Sequence, residues 1–463
     1  MAIPVIIDTD PGVDDMVALL YALACPELEI LGIIVSFGNT DVDASYDNIL
    51  KLYDTLARHF EKFPKDEERF PHFKSRPFLA RGAAGPLEGA LHSAQYFHGR
   101  DGLGDISNRY PDITTDKGVE FLQLSDKPGH ELALELIKTH PARTITYIAL
   151  GPLTNLALAA RQDPALCRER IGRIVVMGGA LDVPGNTSPV AEFNFFADPY
   201  AVKELLIDGA LPLDRFLLLP LDVTTPHDFS FPQYTAQIDP TFVLASEKPK
   251  QAVCKEEEEA EGRMERSKSK SPLVHFSSAF LERTREVMRE FGKDVMELHD
   301  VVAVWCAAQN PPQLIEDDPH GVPRLQEGWR AQQRLFEIER TGELTRGMLV
   351  VDRRDEALEA YTSSSPLSPL SPLAPDSPDS PKRFKTGDNR AEVQARLDRE
   401  QRQQEQNTHM QNVRNDHLAV PAQVELDAPA HVHPKGVACI VQTPGSEALV
   451  SSIFSRIYGI HKI

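Results

Sequence analysis

Ile3-Pro4-Val5-Ile6-Ile7 runs straight into Asp8-Thr9-Asp10-Pro11-Gly12-Val13-Asp14-Asp15. The first five residues read as a buried strand, and the next eight place four carboxylates at its end. From there the apolar residues Met16, Val17, Leu19, Leu20 and Leu23 follow a helical period. Pro11-Gly12 supplies a turn, and Asp14 and Asp15 open the helix, where anionic side chains are favoured. Strand, tight turn and helix together are the opening unit of an α/β fold. Carboxylates this close repel one another, so either some keep a proton or a cation neutralises them. All the candidate ligands are hard oxygens, with no Cys or His nearby, which favours Ca²⁺ or Mg²⁺ over zinc. An acidic surface turn is the plainer alternative, but it sits badly behind a fully apolar strand.

The same alternation continues outward. Strands are expected at 5–8, 30–36, 78–80, 144–150, 173–177 and 216–219, and helices at 14–25, 44–60, 129–140, 153–161 and 199–209. That order predicts an α/β fold with a mostly parallel central sheet and helices on both faces. Ligands of such sheets bind beyond the carboxyl ends of the strands, which is where Asp8–Asp15 falls. Two stretches interrupt the pattern. Residues 246–271 carry Glu256-Glu257-Glu258-Glu259 and then mixed basic residues, and read as a solvated charged loop. Residues 362–434 open with Ser-Pro pairs at Ser365, Ser368, Ser371, Ser377 and Ser380, turn Gln/Arg-rich, and read as a mostly disordered insertion. Pattern resumes with a strand at 436–442 and a helix at 446–458. The expected organisation is a core over 1–361, the insertion over 362–434 and a return to the core over 435–463.

Composition narrows the partners. The formal net charge of −20 argues against nucleic acid or an anionic membrane. The cysteines Cys25, Cys167, Cys254, Cys306 and Cys439 are odd in number and lack metal or redox spacing, which suggests a reducing, cytoplasmic compartment. No signal-peptide pattern and no membrane-length apolar run is visible. Lys382-Arg383-Phe384-Lys385 is a weak nuclear-import candidate and reads better as a solvated basic patch.

Further polar clusters fall at other strand-to-helix junctions: Gly38-Asn39, Leu150 to Asn155, Met177-Gly178-Gly179, Gly185-Asn186, Ala191 to Asn194, and His299-Asp300. Each alone is a weak signal, since such pairs are common in turns and caps. Together they bring carboxylates, amides and an imidazole to one end of one sheet. On D-T-D-P-G-V-D-D, F-H-G-R-D-G-L-G at 97–104, A-L-G-P-L-T-N at 149–155, A-E-F-N at 191–194 and L-H-D at 298–300, the chain resembles the nucleoside hydrolases, the inosine-uridine preferring N-ribohydrolases. The resemblance covers about 3–245, 273–355 and 436–460.

The resemblance implies a single nucleoside hydrolase-like domain with long insertions, cleaving ribonucleosides to ribose and free base for salvage, as a homodimer or homotetramer. It implies Ca²⁺ held by Asp10, Asp15, Asp300 and the backbone carbonyl of Leu150. Asp10 would be general base toward the attacking water, with Asn39 beside that water. Asp14 would grip a ribose hydroxyl, and Met177, Asn186, Glu192 and Asn194 would line the sugar. Asp8 would support the cluster from behind. His98, on a mobile loop, and His299 would lie on the nucleobase side, with His299 assisting departure of the base.

The chemistry suits these residue types independently. Breaking an N-glycosidic bond builds positive charge on the sugar and negative charge on the base; carboxylates stabilise the first and a hydrogen-bond donor the second. Phe193, Tyr200 and Trp305 read as packing, and Arg81, Arg100 and Asp101 have no evident role. Two rivals stand: Mg²⁺-dependent phosphoryl transfer with an aspartate nucleophile, and a non-catalytic protein whose Ser-Pro insertion binds regulatory partners. Base preference is not legible.

Overall fold

The computed structural model describes residues 2–242, 269–312, 322–352 and 436–461. The Ser-Pro insertion, most of the charged loop and Cys254 lie outside the described residues.

In chain order the strands are β1 (Ile3–Thr9), β2 (Leu28–Val35), β3 (Phe78–Arg81), β4 (Gln123–Leu124), β5 (Ile145–Ala149), β6 (Ile171–Met177), β7 (Phe216–Leu219), β8 (Asp228–Ser230), β9 (Val295–Glu297), β10 (Arg330–Arg334), β11 (Glu337–Ile338), β12 (Leu349–Val350) and β13 (Val437–Gln442). Nine of them form one sheet in the order β10-β13-β7-β6-β5-β1-β2-β3-β4. Every neighbouring pair is parallel except β10 with β13. The mostly parallel sheet expected from the alternation is therefore what forms. β8 pairs with β9, and β11 with β12, as two small antiparallel ribbons.

β1 is central because both its faces are apolar. Val5 and Ile7 join one core cluster and Ile6 the other, all with no solvent exposure. Each such side chain contributes about 1.5–3 kcal/mol relative to exposure. Pro4, which has no N–H to donate, precedes the point where pairing with β5 begins at Val5. The helices Val13–Leu23, Val42–Lys62, Pro272–Glu290, His299–Gln309 and Ser446–Tyr458 cover one face. Gly129–Thr139 and Thr154–Gln162 cover the other.

The chain leaves β1 toward β2, β3 and β4, then crosses back to add β5 on β1's other side. The order reverses between β1 and β5, so a crevice opens beyond their carboxyl ends. Asp8 to Asp15 and Leu150 stand at those ends.

Several local expectations shift. The helix expected over 199–209 is α-helical only across Pro199–Val202; a π turn over Lys203–Ile207 follows, closed by the Asp208 N–H donating to the Lys203 carbonyl at 2.8 Å. β4 and β10 lack the apolar alternation that marks strands in sequence, because both lie at sheet edges. Cys25, Cys167, Cys306 and Cys439 are free thiols in the core. No helix among the described residues is long and apolar enough to cross a membrane.

Candidate metal and catalytic site

The turn after β1 is shaped by the carboxylates it carries. Asp15, in the first turn of the helix Val13–Leu23, accepts from the Gly12 N–H at 3.0 Å and from the Thr9 hydroxyl at 2.5 Å. It thereby satisfies one orphan donor at the helix start. Asn39 bridges two carboxylates: its backbone N–H donates to Asp10 Oδ2 at 2.8 Å and its side-chain Nδ2 to Asp15 Oδ2 at 3.0 Å. Asp8 faces the other way, accepting from the Tyr147 hydroxyl at 2.7 Å and from Asn155 Nδ2 at 2.8 Å. Burial still pushes its carboxyl up to about 7, against those two bonds.

Two glycines make room for Asp10. A Cβ on Gly38 would stand 1.9 Å from Asp10 Oδ2, and the residue's φ of +151° is itself one that side chains resist. A Cβ on Gly151 would stand 2.7 Å from Asp10 Oδ1.

Asp300 comes from far along the chain, in the first turn of the helix His299–Gln309. Ligand oxygens of Asp14, Asp15 and Asp300 all lie within 4.8 Å of one another. Burial raises the carboxyls of Asp10, Asp14, Asp15 and Asp300, and their neighbours' negative charge adds to the rise for Asp10, Asp14 and Asp300. Among the hydrogen bonds and ion pairs of the described residues, no Lys or Arg reaches any of the four. A cluster of hard oxygens with no Lys or Arg beside it fits a divalent cation. The tightest set is Asp14, Asp15 and Asp300, with Asp10 adjoining through Asn39, whereas the sequence assigned Asp14 to the ribose alone.

Across the crevice, Asn194 Nδ2 donates to the Leu150 carbonyl at 2.5 Å and to the Met177 carbonyl at 3.1 Å. It ties the end of β5 to the end of β6. Glu192 does not reach outward. Its two carboxylate oxygens accept the N–H groups of Gly179, Asn194 and Phe195 at 2.8–3.1 Å, so it caps the short helix Phe193–Ala197. Asn186 accepts the Phe193 N–H at 2.9 Å. Both residues shape the wall that carries Asn194.

The two histidines differ sharply. His98 is buried, and its Nδ1 accepts the Val13 N–H at 3.3 Å, so it caps the helix Val13–Leu23. Burial and the charge of Arg283 lower it to about 3, which leaves it neutral with Nε2 as its donor. Within the loop that bears it, Asp101 accepts the N–H groups of Leu103, Asp105 and Ser107, and the Ser107 hydroxyl. His299 is partly exposed, with Nδ1 2.8 Å from the Thr224 hydroxyl and Nε2 3.2 Å from Glu297. Burial alone would lower its pKa, but Glu297, Asp14 and Glu192 raise it. Glu297 in turn is held at about 2: burial opposes ionisation, and His299 and Lys293 overcome it.

Tyr147 and Glu297 carry no signal in the sequence, whereas Thr224 opens the stretch 224–231 expected beside the base. Thr9 lies within the signature and its hydroxyl holds Asp15. Glu297 ends β9 and His299 opens the next helix, so their pairing depends on how the two elements meet. Phe193 and Trp305 are buried, and Trp305 packs edge-on against Trp329. Arg81 lies over the Tyr46 ring, and Arg100 pairs with Asp41 at 2.6 Å.

The sequence profile of the inosine-uridine preferring nucleoside hydrolases matches residues 5–401. Uridine nucleosidase 1 of Arabidopsis thaliana is 37% identical over 206 residues, which are 44% of this chain and 53% of that protein. The pyrimidine-specific ribonucleoside hydrolase RihA of Salmonella enteritidis is 35% identical over 224 residues, 48% of this chain and 62% of that protein. The chain thus spans little more than half the length of the curated relatives it matches. Among solved structures, a plant nucleoside hydrolase superposes with a TM-score of 0.58 at 20% identity, covering 99% of both chains. A purine-preferring ribonucleoside hydrolase from Gardnerella vaginalis superposes at 0.52 and 22% identity, covering 76% of this chain and 90% of that one. Identities this low carry the fold alone.

Proposed function

The chain belongs to the inosine-uridine preferring nucleoside hydrolase family, and on that premise we propose that it hydrolyses the N-glycosidic bond of ribonucleosides, with Ca²⁺, to ribose and a free base for salvage. The observation that carries this reading is the bridge Asn39 makes between Asp10 and Asp15, beside the close-set oxygens of Asp14, Asp15 and Asp300. Uridine is the first substrate to expect, because the curated relatives matched at 35–37% identity are named for uridine or pyrimidine nucleosides.

Asp15 and Asp300 would hold the ion, joined by Asp10, Asp14 and the Leu150 carbonyl. When bound, the ion neutralises the carboxylates and makes a nearby water easier to deprotonate. Asp10 takes that proton on Oδ1, since Oδ2 is engaged by the Asn39 N–H. Asn39 keeps the carboxylates of Asp10 and Asp15 from turning away. Asp14 accepts a ribose hydroxyl, and the ring of carboxylates stabilises positive charge as it grows on the sugar. Asn194 fixes the Leu150 and Met177 carbonyls that face the sugar. His299 donates to the departing base; it must release Thr224 or Glu297 to do so. His98, neutral, offers Nε2–H on the same side. Water arriving opposite the base gives inversion at the anomeric carbon.

Phosphoryl transfer is the weaker reading: no Lys or Arg among the described residues stands by the carboxylates to hold a phosphate. The test is metal content of the purified protein, then hydrolysis of uridine, cytidine, inosine and adenosine before and after chelation. Base release that stops on chelation and returns with Ca²⁺ supports the proposal. A calcium-replete protein that cleaves none of the four overturns it.

A further inference from the structure

Behind the site lies a buried polar network that the proposed reaction does not use. Asn48, in the helix Val42–Lys62, has no solvent exposure and all its side-chain hydrogen-bonding groups are engaged. Its Nδ2 donates to the Pro11 carbonyl at 3.1 Å and to the Asp101 carbonyl at 2.7 Å. Its Oδ1 accepts from Lys51 Nζ at 3.1 Å. Lys51, 7% exposed, also donates to the Ser107 hydroxyl at 2.9 Å, and Ser107 donates to Asp101 Oδ2 at 2.8 Å. Pro11 belongs to the turn that carries Asp10, Asp14 and Asp15; Asp101 belongs to the loop that carries His98. One amide therefore joins the two loops whose side chains make the site.

The surroundings leave that amide no alternative. A Cβ on Gly102, whose φ is +78°, would stand 3.0 Å from the Pro11 carbonyl and 3.2 Å from Asn48 Nδ2. The loops approach too closely for any side chain between them. Lys51 sets the orientation: a flipped amide would point its N–H groups at an ammonium and its oxygen at two carbonyls. Burying Lys51 lowers its pKa, while the charges of Asp101 and Asp47 oppose that fall. The network also reaches His98, which meets the turn at the Val13 N–H.

We propose that Asn48, oriented by Lys51, is a positioning residue that holds the metal-binding turn and the His98 loop in register. The proposal rests on the calcium reading for its metal arm only. Outer residues that orient metal ligands typically cost about 10–100-fold in metal affinity or activity when lost.

The test compares wild type with Asn48→Asp and Lys51→Met by calcium titration calorimetry and by trypsin cleavage after Arg100, whose side chain is 71% exposed. Asn48→Asp keeps the shape but loses both donated bonds. Expected are a calcium dissociation constant raised about 10-fold or more and faster cleavage after Arg100, with unchanged far-ultraviolet circular dichroism. Lys51→Met should shift both in the same direction by less. Asn48→Asp with calcium affinity within about twofold of wild type and undiminished protection of Arg100 overturns the proposal. Should Asn48→Asp fail to fold, Lys51→Met decides by the same two readouts. Should wild type itself bind no calcium, the functional reading fails, and protection of Arg100 alone decides the role of Asn48.

Discussion

Replacing Asp300 by Asn should stabilise the calcium-free protein and abolish its response to calcium. Asp300 is 4% exposed, and its ligand oxygen lies within 4.8 Å of those of Asp14 and Asp15. Two unit charges at that separation repel by roughly 3 kcal/mol at an effective dielectric of about 20. Partial protonation relieves much of this, as the upward shift of the Asp300 carboxyl implies. The expected gain is therefore a fraction of that ceiling, about 1–2 kcal/mol. An amide in that place can still donate to Asp15, so little hydrogen bonding is lost. With calcium the sign reverses. An ion that binds only the folded state adds about 4 kcal/mol at a thousand times its dissociation constant, and the variant forfeits most of that. The assay is thermal unfolding of both proteins with chelator and with millimolar calcium. Wild type should gain several degrees on adding calcium; the variant should start higher and barely move. A variant that starts lower than wild type and keeps the full calcium shift would refute the view of Asp300 as an electrostatically strained ligand.

Asp10→Asn should lower turnover by roughly 10²–10⁴ with the fold intact, the usual scale for removing a general base; near-normal turnover in a metal-replete variant would remove Asp10 from the reaction. Uridine should be far preferred to deoxyuridine, because a site built around a hydroxyl leaves polar groups such as Asp14 unpaired when it is missing; equal specificity constants would contradict that placement of the ribose. His299→Ala should slow inosine and uridine more than a nitrophenyl riboside, whose leaving group needs little help; an equal fall on both would make His299 an orienting residue. His98 is lowered from 6.5 to about 3 in the fold, so the unfolded chain takes up its proton first as pH falls. Stability should drop across that window by at most about 5 kcal/mol. His98→Gln, which keeps an acceptor for the Val13 N–H, should flatten the drop measured in calcium-saturated protein; an unchanged acid limb would count against the buried neutral histidine.

The sequence by itself determined the parts whose physics is local. The apolar run Ile3 to Ile7, the Pro11-Gly12 turn and the helical period after Asp14 are each settled within a few residues, so β1 and the helix Val13–Leu23 were legible to within two residues of their ends. The strand–helix alternation likewise fixed a parallel sheet, and with it the end at which the carboxylates must gather. Tertiary structure decided which groups meet there. Asp300 joins Asp15 across 285 residues because the helices Val13–Leu23 and His299–Gln309 pack together on the same face of the sheet. Glu192 is spent on backbone N–H groups, and His98 is a buried helix cap; neither follows from residue type. Asn48 and Glu297 gave no signal, because one lies on a helix face like any polar residue and the other in a strand of three residues. Side-chain periodicity is written along the chain, but a hydrogen bond between distant residues depends on strand register and helix docking. Both are fixed only when the whole core closes.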